Sequence, residues 1–253
     1  MPWDPQQYER FKAERYAPFD DLLALIEVRP DLEIVDLGCG TGELTARLQK
    51  YLPGSRVLGV DSSHQMLKRA QAHANLYLGF VNDDLETVTG DWDMIFSHAA
   101  LQWVDDHPGL LTRLWSCLRP GGQLALQMPS NHRHTTHRLI QELAAEFPFA
   151  EALNGWQRQS PVLEIDTYAS LLHQLGAERI VLMEKIYPHL LPHASELLEW
   201  VKGTALVPYL ERLGEPLRHD FLSRYRERIE NAFPEQPVFY AFRRILILAA
   251  KAA

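Results

Sequence analysis

The fold is decided by one glycine-rich segment, Val35-Asp36-Leu37-Gly38-Cys39-Gly40-Thr41-Gly42. Residues 32–37 are mostly apolar and predict a short buried strand, whereas Leu44 and Leu48 show the spacing of one helix face over residues 42–51. Glycine lets a backbone turn sharply and approach a ligand closely. The segment therefore predicts a strand–turn–helix unit that binds a ligand at its turn.

Strands and helices alternate on the C-terminal side of this unit. The pattern predicts helices that begin at Ser62 or Ser63, at Pro108 and at Asp166, and it predicts a turn at Pro120-Gly121-Gly122. Further strands are predicted over residues 56–60, 76–81, 92–97, 123–128, 179–187 and 239–249. Such alternation is typical of parallel βαβ units. We expect an α/β fold with a Rossmann-like, doubly wound, mostly parallel seven-stranded sheet.

The chain shows no repeat or long linker, so a single domain is expected over residues 1–253. It divides into a helical N-terminal arm (1–30), a ligand-binding core (31–130) and two helical insertions (131–165 and 190–234). The insertions are expected to cap the C-terminal edge of the sheet, where open α/β sheets bind ligands.

Composition excludes several classes of protein. A net charge of −8 disfavours nucleic acid as a partner. No apolar run is long enough to span a membrane, and the start of the chain does not resemble a signal peptide. The two cysteines, Cys39 and Cys117, form no CxxC pair, which disfavours a metal site and fits a cytoplasmic protein. The sequence leaves the oligomeric state open.

The glycine spacing discriminates between two kinds of ligand. A dinucleotide site uses GxGxxG, but this segment reads GxGxG and follows an acidic residue, Asp36. A pyrophosphate would be repelled by that carboxylate, whereas an amino group or a sulfonium would be attracted.

At this point the chain resembles class I S-adenosylmethionine methyltransferases. The resemblance implies S-adenosyl-L-methionine as the cofactor. Its ribose hydroxyls would bind to Asp61 at the end of the second strand, its adenine would lie near Asp84 and Leu85, and its methionine end near Ser97 and His98. The full set of cofactor-binding candidates is Asp36, Gly38, Cys39, Gly40, Gly42, Asp61, Ser62, Asp84, Leu85, Ser97 and His98.

Segments outside the glycine turn resemble a narrower family, the trans-aconitate 2-methyltransferases. The matching segments are Trp3-Asp4-Pro5, Tyr8, Phe11, Ala13-Glu14-Arg15, Leu101-Gln102-Trp103, Asp106-His107, Gln127-Met128-Pro129-Ser130-Asn131, Glu199-Trp200-Val201 and Arg224-Tyr225. The resemblance implies methyl transfer to a carboxylate of a small acid, giving a monomethyl ester and S-adenosylhomocysteine. A carboxylate is already ionised near neutral pH, so no general base is required, and the enzyme acts mainly by alignment.

A substrate with several carboxylates requires cations, and arginine suits them because its planar fork makes two parallel hydrogen bonds. The candidates for substrate binding are Trp103, His132, Arg133, His189, Arg224 and Arg244, with His134 beside them. Where the family pattern has arginine and tryptophan, this chain has Val207 and Tyr209. A missing arginine there leaves the acceptor acid open.

Two other functions stay open on the sequence. A methyltransferase that acts on carbon or nitrogen would need a base near the methyl group, and His98 is the candidate. A non-catalytic protein that senses S-adenosylmethionine would need the same cofactor residues. A nucleic-acid methyltransferase is disfavoured, because Ser97-His98-Ala99-Ala100 stands where an NPPY-type segment would be expected.

Overall fold

A computed structural model describes residues 13–253, with side chains from Tyr16 onward. The predictions for residues 1–12, including most of the N-terminal arm, lie outside the described residues. Helices occupy α1 Ala13–Leu23, α2 Glu43–Tyr51, α3 His64–Ala70, α4 His107–Ser116, α5 Thr135–Ala144, α6 Phe149–Ala152, α7 Ile165–Gln174, α8 Ala194–Lys202, α9 Val207–Arg212 and α10 Glu215–Ala232. Strands occupy β1 Glu33–Leu37, β2 Arg56–Asp61, β3 Leu78–Asn82, β4 Trp92–His98, β5 Leu118–Pro129, β6 Ala177–Leu191 and β7 Val238–Lys251.

The strands form one seven-stranded sheet in the order β3-β2-β1-β4-β5-β7-β6. Strands β1 to β5 pair in parallel, and β7 pairs antiparallel with β5. The strand order reverses beside β1, at the switch point where open α/β sheets bind ligands. The predicted α/β, Rossmann-like fold is confirmed.

The chain forms two compact units. The core unit comprises residues 15–129, 161–185 and 244–253, and the helical unit comprises residues 130–160 and 186–243. The placement of the insertions as a cap over the sheet stays a prediction.

The core unit buries both faces of the sheet, because successive side chains of a strand point to opposite faces. On β1, Ile34 belongs to a hydrophobic cluster that includes Phe19 of α1. Its neighbour Val35 belongs to a second cluster that includes Tyr168 of α7. Because both faces of the sheet are covered, its strands must be apolar along their whole length rather than at alternate positions.

The helical unit has its own hydrophobic core. Helix α10 packs against α5 and α8, with Phe221, Tyr225 and Ile229 completely buried. The Tyr225 hydroxyl donates a hydrogen bond to the Thr136 carbonyl at 3.1 Å and so ties α10 to the start of α5.

The predicted turn at Pro120-Gly121-Gly122 is wrong, because these residues lie inside β5. The register between β4 and β5 shifts at this point, from Trp92 opposite Leu118 to Met94 opposite Gln123. Gly121, with φ 72°, adopts the left-handed conformation that the irregularity requires.

Candidate active site

The glycine segment connects β1 to α2 through three left-handed residues. Gly38, Gly40 and Gly42 have φ values of 77°, 54° and 75°, a region that other residues rarely adopt. A Cβ on Gly38 would lie 2.2 Å from the Ala100 Cβ, so this position has no room for any side chain. The predicted need for glycine is thus explained at Gly38 by both conformation and space.

Asp61, at the end of β2, has a carboxylate oriented by two backbone donors. Its Oδ2 accepts a hydrogen bond from Gly40 N–H at 2.9 Å, and its Oδ1 accepts one from Ser63 N–H at 2.8 Å. Each oxygen keeps a further lone pair for a ligand hydroxyl. Asn82 fixes the same residue from β3 by donating to the Asp61 carbonyl at 3.0 Å.

The start of α3 follows Asp61 directly. Ser63 caps this helix, accepting a hydrogen bond from Met66 N–H, as the sequence predicts for Ser62 or Ser63. Ser62 is exposed between Asp61 and the cap.

Asp36 lies on β1, two residues before Gly38, and is buried. Thr45 donates a hydrogen bond to its Oδ2 at 2.6 Å. Burial raises the pKa of Asp36 to about 7, the Thr45 hydrogen bond opposes this, and the nearby Asp61 charge adds to it. A cation in this region would therefore favour ionisation of Asp36 near neutral pH.

Cys39 lies within the same segment. Burial, followed by the charges of Asp36 and Asp61, raises the pKa of its thiol, so Cys39 stays a protonated and unreactive thiol.

Asp84 and Leu85 follow β3, as predicted. Asp84 is exposed, and its Oδ1 accepts a hydrogen bond from Glu86 N–H at 2.9 Å. Leu85 is half-buried against the hydrophobic core of the core unit. A polar residue, Asp84, and an apolar residue, Leu85, are thus adjacent in the loop after β3.

Ser97 and His98 end β4. The Ser97 hydroxyl is fully buried and donates to the Leu37 carbonyl at 2.8 Å, so its proton connects two strands. The half-buried His98 ring meets the Phe19 ring edge-to-face, with centroids 5.7 Å apart. Ala99 follows with φ 57°, a strained conformation for a residue other than glycine. Trp103 is 43% exposed in the short helix Leu101–Trp103.

Among the basic substrate-binding candidates, Arg244 belongs to the core unit. It lies in β7 and is 5% exposed, so its side chain is buried in the core unit. Its guanidinium lies close to the Gln127 amide.

The other basic candidates belong to the helical unit. His189 packs among aromatic rings, with its centroid 4.9 Å from that of Trp200. Arg224 pairs with Asp220 at 2.9 Å, so an acid already balances its charge. Arg133 is exposed and His132 is half-buried at the loop that precedes α5.

Sequence reasoning missed two basic residues in the helical unit, His137 and Arg158. Thr136 Oγ1 lies 3.0 Å from His134 Nδ1 and 3.1 Å from His137 Nδ1. Burial, followed by the positive charges of His134, His132 and Arg158, lowers the pKa of His137 to about 4. Four basic groups thus cluster in this unit, and the spacing of the three histidines at 132, 134 and 137 was the available signal.

Tyr209, where the sequence departs from the family pattern, contributes to the same region. Its hydroxyl accepts a hydrogen bond from Arg158 N–H at 3.1 Å. The backbone of Arg158 is therefore fixed by the residue that replaces the expected tryptophan.

Comparisons with known proteins agree with this geometry. A family profile described as a methyltransferase domain matches residues 34–122. A trans-aconitate 2-methyltransferase of Deinococcus radiodurans is 49% identical over 257 residues, which cover 99% of each chain. The chain belongs to the trans-aconitate 2-methyltransferase family. The resemblance found in the sequence is thereby confirmed, and it extends over the whole length of the family's members rather than over the glycine segment alone.

Solved structures show that this family member has the methyltransferase fold. The YcgJ protein of Bacillus subtilis superposes with a TM-score of 0.61 at 13% identity, covering 94% of this chain and 99% of that one. The phosphoethanolamine N-methyltransferase 2 of Haemonchus contortus, solved with S-adenosyl-L-methionine, gives a TM-score of 0.56 at 19% identity. This superposition covers 94% of this chain and 53% of the phosphoethanolamine N-methyltransferase.

Residues 13–253 lack two features, a membrane-spanning helix and a cluster of metal ligands. Their helices include none that is both long and apolar enough to cross a membrane. The same residues contain no group of three or more His, Cys, Asp or Glu side chains arranged to hold a metal ion.

Proposed function

We propose that the chain transfers a methyl group from S-adenosyl-L-methionine to a carboxylate of trans-aconitate, giving a monomethyl ester and S-adenosylhomocysteine. The observation that carries the proposal is the full-length 49% identity to a trans-aconitate 2-methyltransferase. The geometry of Asp61 and of the glycine segment supports the cofactor, because it offers oriented acceptors for hydroxyls and a close approach to the backbone.

The residues fit the chemistry of this cofactor. Asp61 would accept hydrogen bonds from the ribose hydroxyls, with the exposed Ser62 beside it. Asp84 would accept from the adenine amine while Leu85 covers the ring. Asp36 lies where a positive charge is stabilised. Gly38, Cys39, Gly40 and Gly42 would shape the backbone around it, and Ser97 and His98 would line its methionine end.

The cofactor supplies an electrophilic methyl group on a positively charged sulfur. The chain's own residues orient the acceptor and exclude water. A carboxylate oxygen attacks as an anion, so no group of the protein has to remove a proton.

The basic candidates would bind the carboxylates of the acceptor. Arg244, the basic candidate in the core unit, is buried, and its planar fork suits a carboxylate. Trp103, His132, Arg133, His189 and Arg224 stay candidates for substrate binding. Arg224 is the weakest of these, since Asp220 already neutralises it.

A panel of di- and tricarboxylic acids tests the proposal. The purified chain, S-adenosyl-L-methionine and each acid are mixed, and release of S-adenosylhomocysteine is measured together with a base-labile ester. We expect trans-aconitate to give the highest kcat/KM. Absence of turnover with every acid, despite cofactor binding in calorimetry, would overturn the proposed function.

A further inference from the structure

Three polar residues from neighbouring strands form a continuous chain in the core unit. His98 ends β4, Gln127 lies opposite it on β5, and Arg244 lies on β7 opposite Pro129. Gln127 is completely buried, and Arg244 is 5% exposed. Polar groups buried to this extent must satisfy one another, so their donors and acceptors determine their orientation.

The partners of Gln127 dictate how its amide is turned. Arg244 NH1 and the Met128 N–H each lie 3.1 Å from the same terminal atom of the Gln127 amide. Both of these groups are donors and neither is an acceptor. The oxygen therefore belongs on their side, and the amide nitrogen lies 3.1 Å from His98 Nε2.

This orientation determines the proton position on His98. An amide NH₂ is a donor only, so His98 Nε2 must accept with its lone pair. The neutral ring then carries its proton on Nδ1. A proton on Nε2 would place the His98 N–H against the N–H of the Gln127 amide. The amide cannot turn around to avoid this, because its oxygen accepts from the Arg244 guanidinium.

The backbone directly after His98 is fixed by two hydrogen bonds, one to Gln127 on β5 and one from Gln102. Ala99 N–H donates to the Gln127 carbonyl at 2.8 Å, and Gln102 Nε2 donates to the Ala99 carbonyl at 2.7 Å. These bonds maintain the strained Ala99 conformation directly after the histidine, and such strain is concentrated at functional positions.

We propose that His98 acts in methyl transfer as a neutral Nδ1–H hydrogen-bond donor to the acceptor carboxylate rather than as a base, and that Gln127 and Arg244 are positioning residues that fix this tautomer. This inference rests on the proposed function, because it concerns the same reaction. The attacking oxygen forms the new O–C bond, the electron pair of the broken S–C bond stays on sulfur, and no proton moves. A donor at this place orients the carboxylate, whereas a base would serve only an amine or carbon acceptor.

The decisive experiment records the His98 ring nitrogens by ¹⁵N NMR in the unliganded protein between pH 6 and 8. The signals are assigned by their loss in His98→Gln. We expect an unprotonated Nε2 and a protonated Nδ1. A protonated Nε2 in the neutral ring would overturn the inference.

Gln127→Glu tests the positioning role. A carboxylate still accepts from Arg244 but cannot donate to His98, so Nε2 should gain a proton and kcat should fall about 10- to 100-fold. The matched control is Gln123→Glu, a second buried glutamine on β5 that bonds to the backbone of Glu27. The control should leave the His98 tautomer unchanged; an equal change in both variants would contradict the positioning role.

Two substitutions at His98 keep the test decisive if a strand variant does not fold. His98→Asn retains an N–H donor and removes the base, whereas His98→Leu removes both. We expect at least about tenfold more activity in His98→Asn than in His98→Leu; equal activity would refute the donor role. The NMR measurement needs no turnover. If no acid of the panel is methylated but the NMR spectra show a proton on Nδ1, the proposed function is rejected and the tautomer assignment stands.

Discussion

The glycine segment of the core unit and the cluster of His132, His134 and His137 in the helical unit orient their polar groups in different ways. Next to the glycine segment, the Asp61 carboxylate accepts hydrogen bonds from the backbone N–H groups of Gly40 and Ser63. In the helical unit, side chains hold one another, with Thr136 between His134 and His137. Backbone donors impose strict rules on sequence, such as glycine at positive φ, whereas side-chain clusters can be built from many sequences.

A substitution at the glycine segment should have the largest effect. Gly38→Ala adds a strained left-handed residue and a Cβ 2.2 Å from the Ala100 Cβ, so the free energy of unfolding should fall by about 3 kcal/mol. Urea denaturation measures the change.

Gly176→Ala is the matched control, because Gly176 has φ 79° but no atom within 4 Å of the added Cβ. It should lose only the conformational part, about 1 kcal/mol. Equal losses in the two variants would show that the contact with Ala100 is unimportant.

The second effect concerns cofactor affinity. Asp61→Asn keeps the size of the side chain but leaves one of its two backbone donors unpaired and removes the charge. We expect the dissociation constant for S-adenosyl-L-methionine to rise about 100-fold in calorimetry, which is about 2.7 kcal/mol. Asp91→Asn, at an exposed carboxylate before β4, should leave the affinity unchanged. Unaltered affinity in Asp61→Asn would refute the ribose contact.

The smallest effect is a pH dependence in the helical unit. The pKa of His137 is about 4 in the native protein, below the ordinary value of 6.5. The unfolded chain therefore binds more protons between these values, so stability is present above pH 6.5 and is lost as the pH falls. The loss between pH 7 and 5 should be about 2 kcal/mol larger in the wild type than in His137→Gln.

Denaturation curves at the two pH values measure this difference. His73→Gln, at an exposed histidine of the core unit, is the control and should follow the wild type. Identical pH profiles for the wild type and His137→Gln would contradict the buried, neutral state of His137.

The same contrast explains what the sequence could predict. The strand ends and the glycine segment follow from local patterns, so the sequence predicts Asp61, Asp84 and His98 at the C-terminal ends of the correct strands. The association of Arg158 with His137 depends on tertiary packing across 21 residues, for which the sequence has no local signal. The orientation of Gln127 depends on donors from two other strands and could be read only from three-dimensional structure.

The position of β7 in the sheet affects the order in which parts of the protein can form during synthesis. This strand follows the six other described strands along the chain, yet it lies between β5 and β6 in the sheet. Because it runs antiparallel to β5, its Arg244 comes opposite Pro129, at the end where the parallel strands finish. During synthesis the N-terminal strands can assemble first. The glycine segment can thus form on the ribosome, whereas the Arg244–Gln127–His98 chain must await synthesis of Arg244, so a product that ends before β7 would lack the groups proposed to orient His98.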